Sequence, residues 1–455
     1  MATTDLTRTP SSGGNRKTWT WSAWVKRAVK SDANNSRLLS AGGSNSDYTS
    51  WFMYAADGTD GALQLQNRIS SSTTTLKTTR KFRDTSAWYH LVIACDTTQA
   101  TDSNRIKIYV NGVQETSFST EQYPAQDADT FVNHTVAHNI GSSDDAQYTP
   151  RYWAGSMSHV ALVDGQQLTP TSFGELDSTS GIWKFKNPSG LSWGTNGFHL
   201  KFENSGNMGL DSSGQGNNYT VSGGTLTQSL DTPSNNHATF NPLNGVQYAG
   251  LGFTNGNTTI TTTAGQYSPG LSTIGVNSGK WYAEFKMTSS SNWAMVGVTG
   301  QFATATNYSI GHGTTGYGYA GGSSASGQQS NDNNLSAYGN TYNNGDIIGI
   351  ALDLDNHKLY FHKNGTYQNS GVPTSGSTGT GAISISTSPD TGFYHMGAGN
   401  YSGSQTPSWS ANFGNGFFGT TAITSAGSNG NGSLFEYDCP SGYYALNTKN
   451  LNTYG

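Results

Sequence analysis

Charge is scarce in this chain. Only 11% of its 455 residues are Asp, Glu, Lys or Arg, against about a quarter in ordinary soluble domains. There is no basic run and the net charge is −5, so the electrostatic footprint that nucleic acid demands is missing. Cysteine occurs only as Cys95 and Cys439. The two fall in what read as different domains and are expected as unpaired, buried thiols. No apolar stretch approaches the roughly 20 residues a membrane helix needs. The opening decapeptide MATTDLTRTP lacks the apolar core of a signal peptide, so secretory export is not expected. No stretch repeats apolar residues with a helical period, which predicts very little helix.

What the chain has instead is glycine (58 residues), aromatics (12%) and a surface of Ser, Thr and Asn. Hydroxyls, amides and Tyr give adaptable hydrogen bonding and rigid contact area, as in antibody paratopes. Turn-rich β structure needs Gly and Asn on its own account, so composition leaves both readings open. The length predicts two or three domains, and each half is long enough to bury a core.

Strand signals dominate. Thr18–Arg27 (TWTWSAWVKR) alternates Trp19 and Trp21 inward; Trp51–Tyr54, Ala62–Ile69 and the apolar Ala87–Asp96 follow. Arg105–Gly112 ends in an Asn-Gly turn, and Met157–Val163 is a further strand. Later, Gly279–Met287 and Ala294–Gly300 read as strands, followed by a Gly/Ser/Tyr/Asn tract from Asn307 to Asn344. The most informative phrase is Gly345–Gly365, GDIIGIALDLDNHKLYFHKNG. Two alternating apolar runs flank Asp355-Asn356, and a second turn stands at Asn364-Gly365, the grammar of a half-buried hairpin. Trp19, Trp21, Trp88, Trp281 and Phe361 are candidate core residues.

Four phrases in order, Trp21–Val25, Trp88–Val92, Ile108–Gly112 and Gly155–Asp164 with its Leu168–Phe173 tail, resemble laminin-G-like, concanavalin A-like sandwiches. The resemblance covers about residues 6 to 180. Gly279–Phe285, Val296–Val298, the Asn344–Gly349 hairpin start and Ala411–Gly414 resemble, in order, an SPRY domain over roughly residues 240 to 420. The Tyr/Gly tract departs from that family's pattern. Between the two, Asp211–Asn218 and Asp231–Asn236 resemble junction segments of phage virion proteins that carry laminin-G-like modules, and Leu6–Arg27 resembles the start of those proteins. The expected architecture is all-β: two tandem antiparallel β-sandwiches, a concanavalin A-like jelly roll over 1–181 and an SPRY-like sandwich over 238–420. A Gly/Ser/Asn-rich connector spans 182–237 and a tail 421–455.

Catalysis is not expected. The concanavalin A-like fold includes glucanases, whose retaining members place two carboxylates about 5 Å apart. The six glutamates (115, 121, 175, 203, 284, 436) never fall within five residues of one another. His134 and His138 have H-x-x-x-H spacing, but on a strand or loop, where that spacing spans about 13 Å. Neither a nucleophile elbow nor a phosphate-binding glycine loop occurs. No cofactor is expected, with calcium as the one candidate. The laminin-G resemblance implies a rim site, for which the candidates are Asp96, Asp102, Asp127, Asp129, Asp144 and Asp145, with the pair Asp144-Asp145 placed where family loops approach that rim; the plainer reading of these residues is solvated loop acids. For ligand binding the candidates are Tyr308, Tyr317, Tyr319, Tyr338 and Tyr342 in the second sandwich, and Tyr48, Tyr148 and Tyr152 in the first. An exposed Tyr stacks on sugar rings; a buried one closes a core.

Together these features and the resemblance lead to a non-catalytic phage virion protein, a head or tail appendage, fibre or decoration. It would adhere to host-surface glycans or to neighbouring virion subunits. It would be made in the host cytoplasm without a signal peptide and released in the particle. A homo-oligomer is expected, a trimer if it forms a fibre, with no nucleic acid and no membrane insertion. The alternatives are a decoration protein without ligand and a polysaccharide hydrolase of concanavalin A-like fold.

Overall fold

The computed structural model describes residues 4–28, 36–54, 61–143, 151–243, 251–263, 267, 269–289, 292–301, 308–401 and 405–455. They form two compact units, Met1–Gln228 and Ser229–Gly455. Both are antiparallel sandwiches, and the one α-helix among the described residues is the seven-residue Thr448–Tyr454.

In the first unit an eight-stranded sheet runs, in spatial order, Phe118–Glu121, Ser72–Lys81, Ala62–Ile69, Asp47–Tyr54, Arg37–Ser44, His138–Ile140, Asp5–Arg8 and Thr220–Ser222. A six-stranded sheet runs Phe198–Leu200, Gly155–Asp164, Thr18–Arg27, Trp88–Asp96, Ile106–Val110 and Val113–Gln114. Strand alternation sends every second residue inward. The register therefore lines up Leu76, Leu65, Trp51, Leu39, Ile140, Leu6 and Val221 as one apolar row across the larger sheet. The facing sheet contributes Trp19, Trp21, Ala23, Leu91 and Ile93 to the same core. Trp51 stacks on Trp19 at 5.6 Å and meets Trp21 edge-on at 5.1 Å.

A buried polar staple ties the opening loop to this sandwich. Asp164 accepts from the Asn15 backbone N–H at 2.8 Å, Asn133 Nδ2 at 3.0 Å and the Asn196 N–H at 3.0 Å. The Asn-Gly signal at 111–112 is a tight hairpin turn: Asn111 and Gly112 both take positive φ (48° and 81°), the type I′ geometry that this dipeptide favours.

The stretch 182–237, expected as a connector, is largely part of the first sandwich. Trp183–Phe185 pairs with Gly174–Leu176, Phe198–Leu200 extends the smaller sheet, and Thr220–Ser222 closes the edge of the larger one. Phe198, Leu200 and Tyr219 are core residues. Three-residue strands between turn formers are too short to show periodicity, which is why they read as linker.

In the second unit, Leu251–Thr254, Thr259–Thr262, Ser408–Asn412, Lys280–Ser289, Ile347–Asp353, Lys358–Lys363 and Thr366–Tyr367 lie side by side in a nine-stranded sheet. Ile383–Ser384 and Tyr444–Ala445 pair beside that path. A six-stranded sheet of Gly270–Leu271, His395–Asn400, Ala294–Thr299, Gly316–Gly321, Gln328–Asn331 and Asn334–Ala337 packs on it. The expected hairpin is present: Ile350 faces Phe361 and Leu352 faces Leu359. Asp353 accepts from the Asn356 backbone N–H and pairs with Lys280, holding the turn.

The tail expected over 421–455 is also part of its sandwich. Phe435, Cys439, Tyr443 and Ala445 cover the outer side of the larger sheet at Tyr282, Ala351 and Tyr360. Both cysteines are free and buried, one in each unit.

Candidate functional site: a polar sheet face

The apolar row described above has a polar twin one residue along each strand. Thr75, Gln66, Ser50, Ser40, Asn139, Thr7 and Thr220 are aligned across the outer face of the eight-stranded sheet. All seven carry a hydroxyl or an amide; the middle three, Ser50, Ser40 and Asn139, are buried, while Thr75 and Gln66 at one end and Thr7 and Thr220 at the other reach the surface. Flanking this row on one side are Thr73, Arg68 and Tyr48, and on the other Lys77, Gln64, Phe52 and Arg37. Tyr48 is half-buried and donates its hydroxyl to Gln66 Oε1 at 3.1 Å. The Arg37 guanidinium lies 3.7 Å above the Phe52 ring, a cation–π contact in which both side chains are buried, so the accessible ring of this face is that of Tyr48. Hydroxyls and amides beside aromatic faces are the groups that recognise sugars, whose hydroxyls hydrogen-bond while their C–H faces stack on rings.

The outer side of the six-stranded sheet differs. Val92, Ala161 and Val163 are covered by Phe173, Leu168, Leu191 and Trp193. His90 is sandwiched there between Trp24 and Trp183, with ring nitrogens 2.9 Å from Ser22 Oγ and 2.9 Å from Trp183 Nε1. Burial lowers its pKa to about 3, so the ring is neutral and structural.

In the second sandwich the five candidate tyrosines are corrected. Tyr308, Tyr317, Tyr319, Tyr338 and Tyr342 are all buried, and all but Tyr308 belong to the central core. Their hydroxyls bond inside the fold. Tyr342 donates to Tyr319 O at 2.7 Å, Tyr317 donates to Thr314 O at 3.1 Å, and Tyr319 donates to Asn340 O. Tyr338 accepts from the Phe361 N–H at 3.2 Å, and the Tyr308 and Thr299 hydroxyls lie 3.1 Å apart. Within the tract Gly316–Gly321, Gln328–Asn331 and Asn334–Ala337 are paired strands, and its glycines make room for rings: a side chain at Gly321 would strike the Tyr342 ring, and one at Gly318 would strike Met295. The alternation Tyr317-Gly-Tyr319 is the signal that marks them as core.

Of the first-sandwich candidates, Tyr48 lies on the polar face and Tyr152 is half-exposed just before strand Gly155–Asp164. Tyr148, Asp144 and Asp145 lie outside the described residues. The other acids have protein partners: Asp96 caps Thr98 and Gln99, Asp127 pairs with Lys17, Asp129 with Arg16, and Asp102 accepts from the Ser103 N–H. Among the described residues no group of three metal-ligating side chains occurs. His138 Nε2 accepts from the Asn133 N–H at 3.0 Å and its Nδ1 lies 2.8 Å from Val136 O. Burial holds its pKa down at about 4.

Glu284 has a carboxyl displaced upward by burial. It sits on the outer side of the nine-stranded sheet, opposite Gly349 and Asn412, and is fully buried. Its oxygens accept from the backbone N–H of Glu436 and Tyr437, both at 2.8 Å, from Tyr282 Oη at 3.0 Å and from Asn412 Nδ2 at 3.3 Å. Burial pushes its pKa up to about 7 against the pull of these donors. The C-terminal segment seals it from solvent, so it acts as a latch for that segment.

With this geometry in place, comparison with known proteins is informative. The profile of the concanavalin A-like lectin/glucanases superfamily, laminin-G type, matches residues 2–172, and that of the SPRY domain matches residues 280–385. The chain therefore carries a concanavalin A-like domain followed by an SPRY domain, both all-β sandwiches. Among solved structures, it is similar to a heptameric SAP-like pentraxin from Limulus polyphemus (18% identity, 48% of this chain and 86% of that one, TM-score 0.31). It is also similar to the SPRY domain of human HERC1 (17% identity, 34% of this chain and 87% of that one, TM-score 0.26). A third likeness is to domain 4 of AbnA, a GH43 extracellular arabinanase from Geobacillus stearothermophilus (21% identity, 34% of this chain and 65% of that one, TM-score 0.26). No curated protein matches the chain.

Proposed function

We propose that this is a non-catalytic adhesion protein that binds glycans on the outer face of the eight-stranded sheet of its first domain. The observation that carries the reading is the accessible end of the polar row, where Gln66 and Thr75 lie beside Tyr48. The lectin/glucanase superfamily match over the same residues supports it. Binding without turnover is favoured because the one carboxyl raised toward neutrality among the described residues, Glu284, is sealed in the other domain. The setting we infer is a phage virion, on the resemblance of Leu6–Arg27, Asp211–Asn218 and Asp231–Asn236 to virion proteins. Many copies on one particle would turn weak single contacts into firm adhesion. Burial of the tyrosine tract favours a scaffolding part for the second domain, against neighbouring virion subunits.

The test is a glycan array with the full chain, with and without calcium, alongside Tyr48→Ala and Gln66→Ala. Loss of binding in both variants, with no reducing sugar released from the hits, supports the reading. Hits that survive both substitutions, or that are hydrolysed, refute it.

A further inference from the structure

The polar face also carries charge, with cations gathered at the end where Arg68 stands. Across its three adjoining rows stand Arg68, Lys77 and Arg37, with Asp5 at the far edge paired to Ser222, and the residues paired with Arg68 itself are the uncharged Thr73 and Tyr48. Arg68 is the informative member. It faces Tyr48 across the strand pair, next to Gln66. It is half-buried, and its Nε is shut off from water with no hydrogen-bond partner. Among the described residues no ion pair involves it. The acid nearest in the register, Asp47, is already engaged: its carboxylate accepts from the Ser70 N–H at 2.8 Å and from Ser44 Oγ at 3.4 Å.

A partly desolvated cation without a counter-charge is costly to the free protein. The same cation attracts an anion more strongly than a fully hydrated one does. The planar guanidinium fork matches the two oxygens of a carboxylate. Around it, Tyr48 offers a ring to stack on, and Gln66, Thr73 and Thr75 offer hydrogen bonds to hydroxyls. We propose that Arg68 makes this face selective for sugars that carry a carboxylate, such as the uronic acid units of acidic polysaccharides. The proposal rests on the glycan-binding reading of the face and adds to it the charge of the ligand.

The experiment compares the full chain with Arg68→Gln, Arg68→Lys and Tyr48→Ala, each first shown to keep the wild-type melting profile. Binding is measured to polygalacturonate, alginate and hyaluronan, each beside its methyl ester, which keeps the ring and removes the charge. Wild type should prefer at least one acid form by about tenfold or more, the worth of one charge-assisted hydrogen bond. Arg68→Gln should erase that preference, Arg68→Lys should retain part of it, and Tyr48→Ala should weaken both forms. Equal binding of acid and ester, unchanged in Arg68→Gln but lost in Tyr48→Ala, overturns the charge selectivity and leaves the glycan face standing. Failure to bind any polymer, or binding indifferent to every variant, overturns the glycan face itself and the proposal with it.

Discussion

Replacing Glu284 with glutamine tests whether the latch on the C-terminal segment is governed by ionisation. In the folded protein burial raises this carboxyl from 4.5 to about 7. A carboxyl raised on folding lends stability that is complete below the unfolded value and is lost as pH climbs through the folded one. A rise of that size corresponds to about 3 kcal/mol between pH 4.5 and 8. Glutamine cannot ionise, so its contribution is flat across that window. It also replaces one acceptor oxygen with NH₂. The Glu436 and Tyr437 amides use different oxygens of Glu284, so one of them loses its partner, at about 1–3 kcal/mol. At pH 4.5 the variant should therefore be the less stable protein. Toward pH 8 the gap should close or reverse by about 3 kcal/mol. His362, whose pKa burial lowers to about 3, follows the opposite rule and gains stability as pH rises, but it is common to both proteins. Urea unfolding of the full chain at pH 4.5, 6 and 8, read by hydrogen exchange in peptides covering 424–447, measures the difference. A wild-type minus variant gap that stays constant across this range would refute the reasoning.

Two further predictions concern the cores. Trp51→Ala removes the ring that joins Trp19 and Trp21 and should cost about 3–5 kcal/mol, with collapse of the near-ultraviolet circular dichroism of the first domain. Asp164→Ala leaves the Asn15 and Asn196 amides and the Asn133 side chain without their acceptor. It should cost about 2–4 kcal/mol and speed proteolysis within residues 9–17, which limited digestion detects.

Much of the fold was legible because sandwich strands advertise themselves locally. Thr18–Arg27 alternates large and small residues, Asn111-Gly112 and Asn364-Gly365 announce hairpins, and the Ile347–Lys363 segment holds its whole pattern within a few residues. The polar face was not legible in the same way. Gln64, Gln66 and Arg68 alternate visibly along Ala62–Ile69, yet their partners Ser50, Ser40 and Asn139 lie on other strands, and only pairing aligns them. The tyrosine tract misled because glycine between aromatics looks like loop until the opposing rings are known. Glu284 gave no sign of its burial, since the amides that cover it come from Glu436 and Tyr437, about 150 positions away.

The twin rows of the first domain also bear on how such a protein can change. Their polarity depends on parity alone: odd steps along each strand build the interior, and even steps build the polar outer face. Swapping one hydroxyl or amide for another at the accessible end of the outer row, at Thr75 or Gln66, leaves the interior untouched, so the chemistry of that face can vary at constant fold. Length is a different matter. A single inserted residue within a strand would exchange the two rows beyond it. The strand Arg37–Ser44 holds an instance of how this is absorbed: the register shifts between Arg37 and Leu39, and the extra Leu38 is tucked inside. Spelling on this surface is free to vary, while spacing is not, so diversity among relatives of this domain should accumulate as substitutions on the sheet and insertions in its loops.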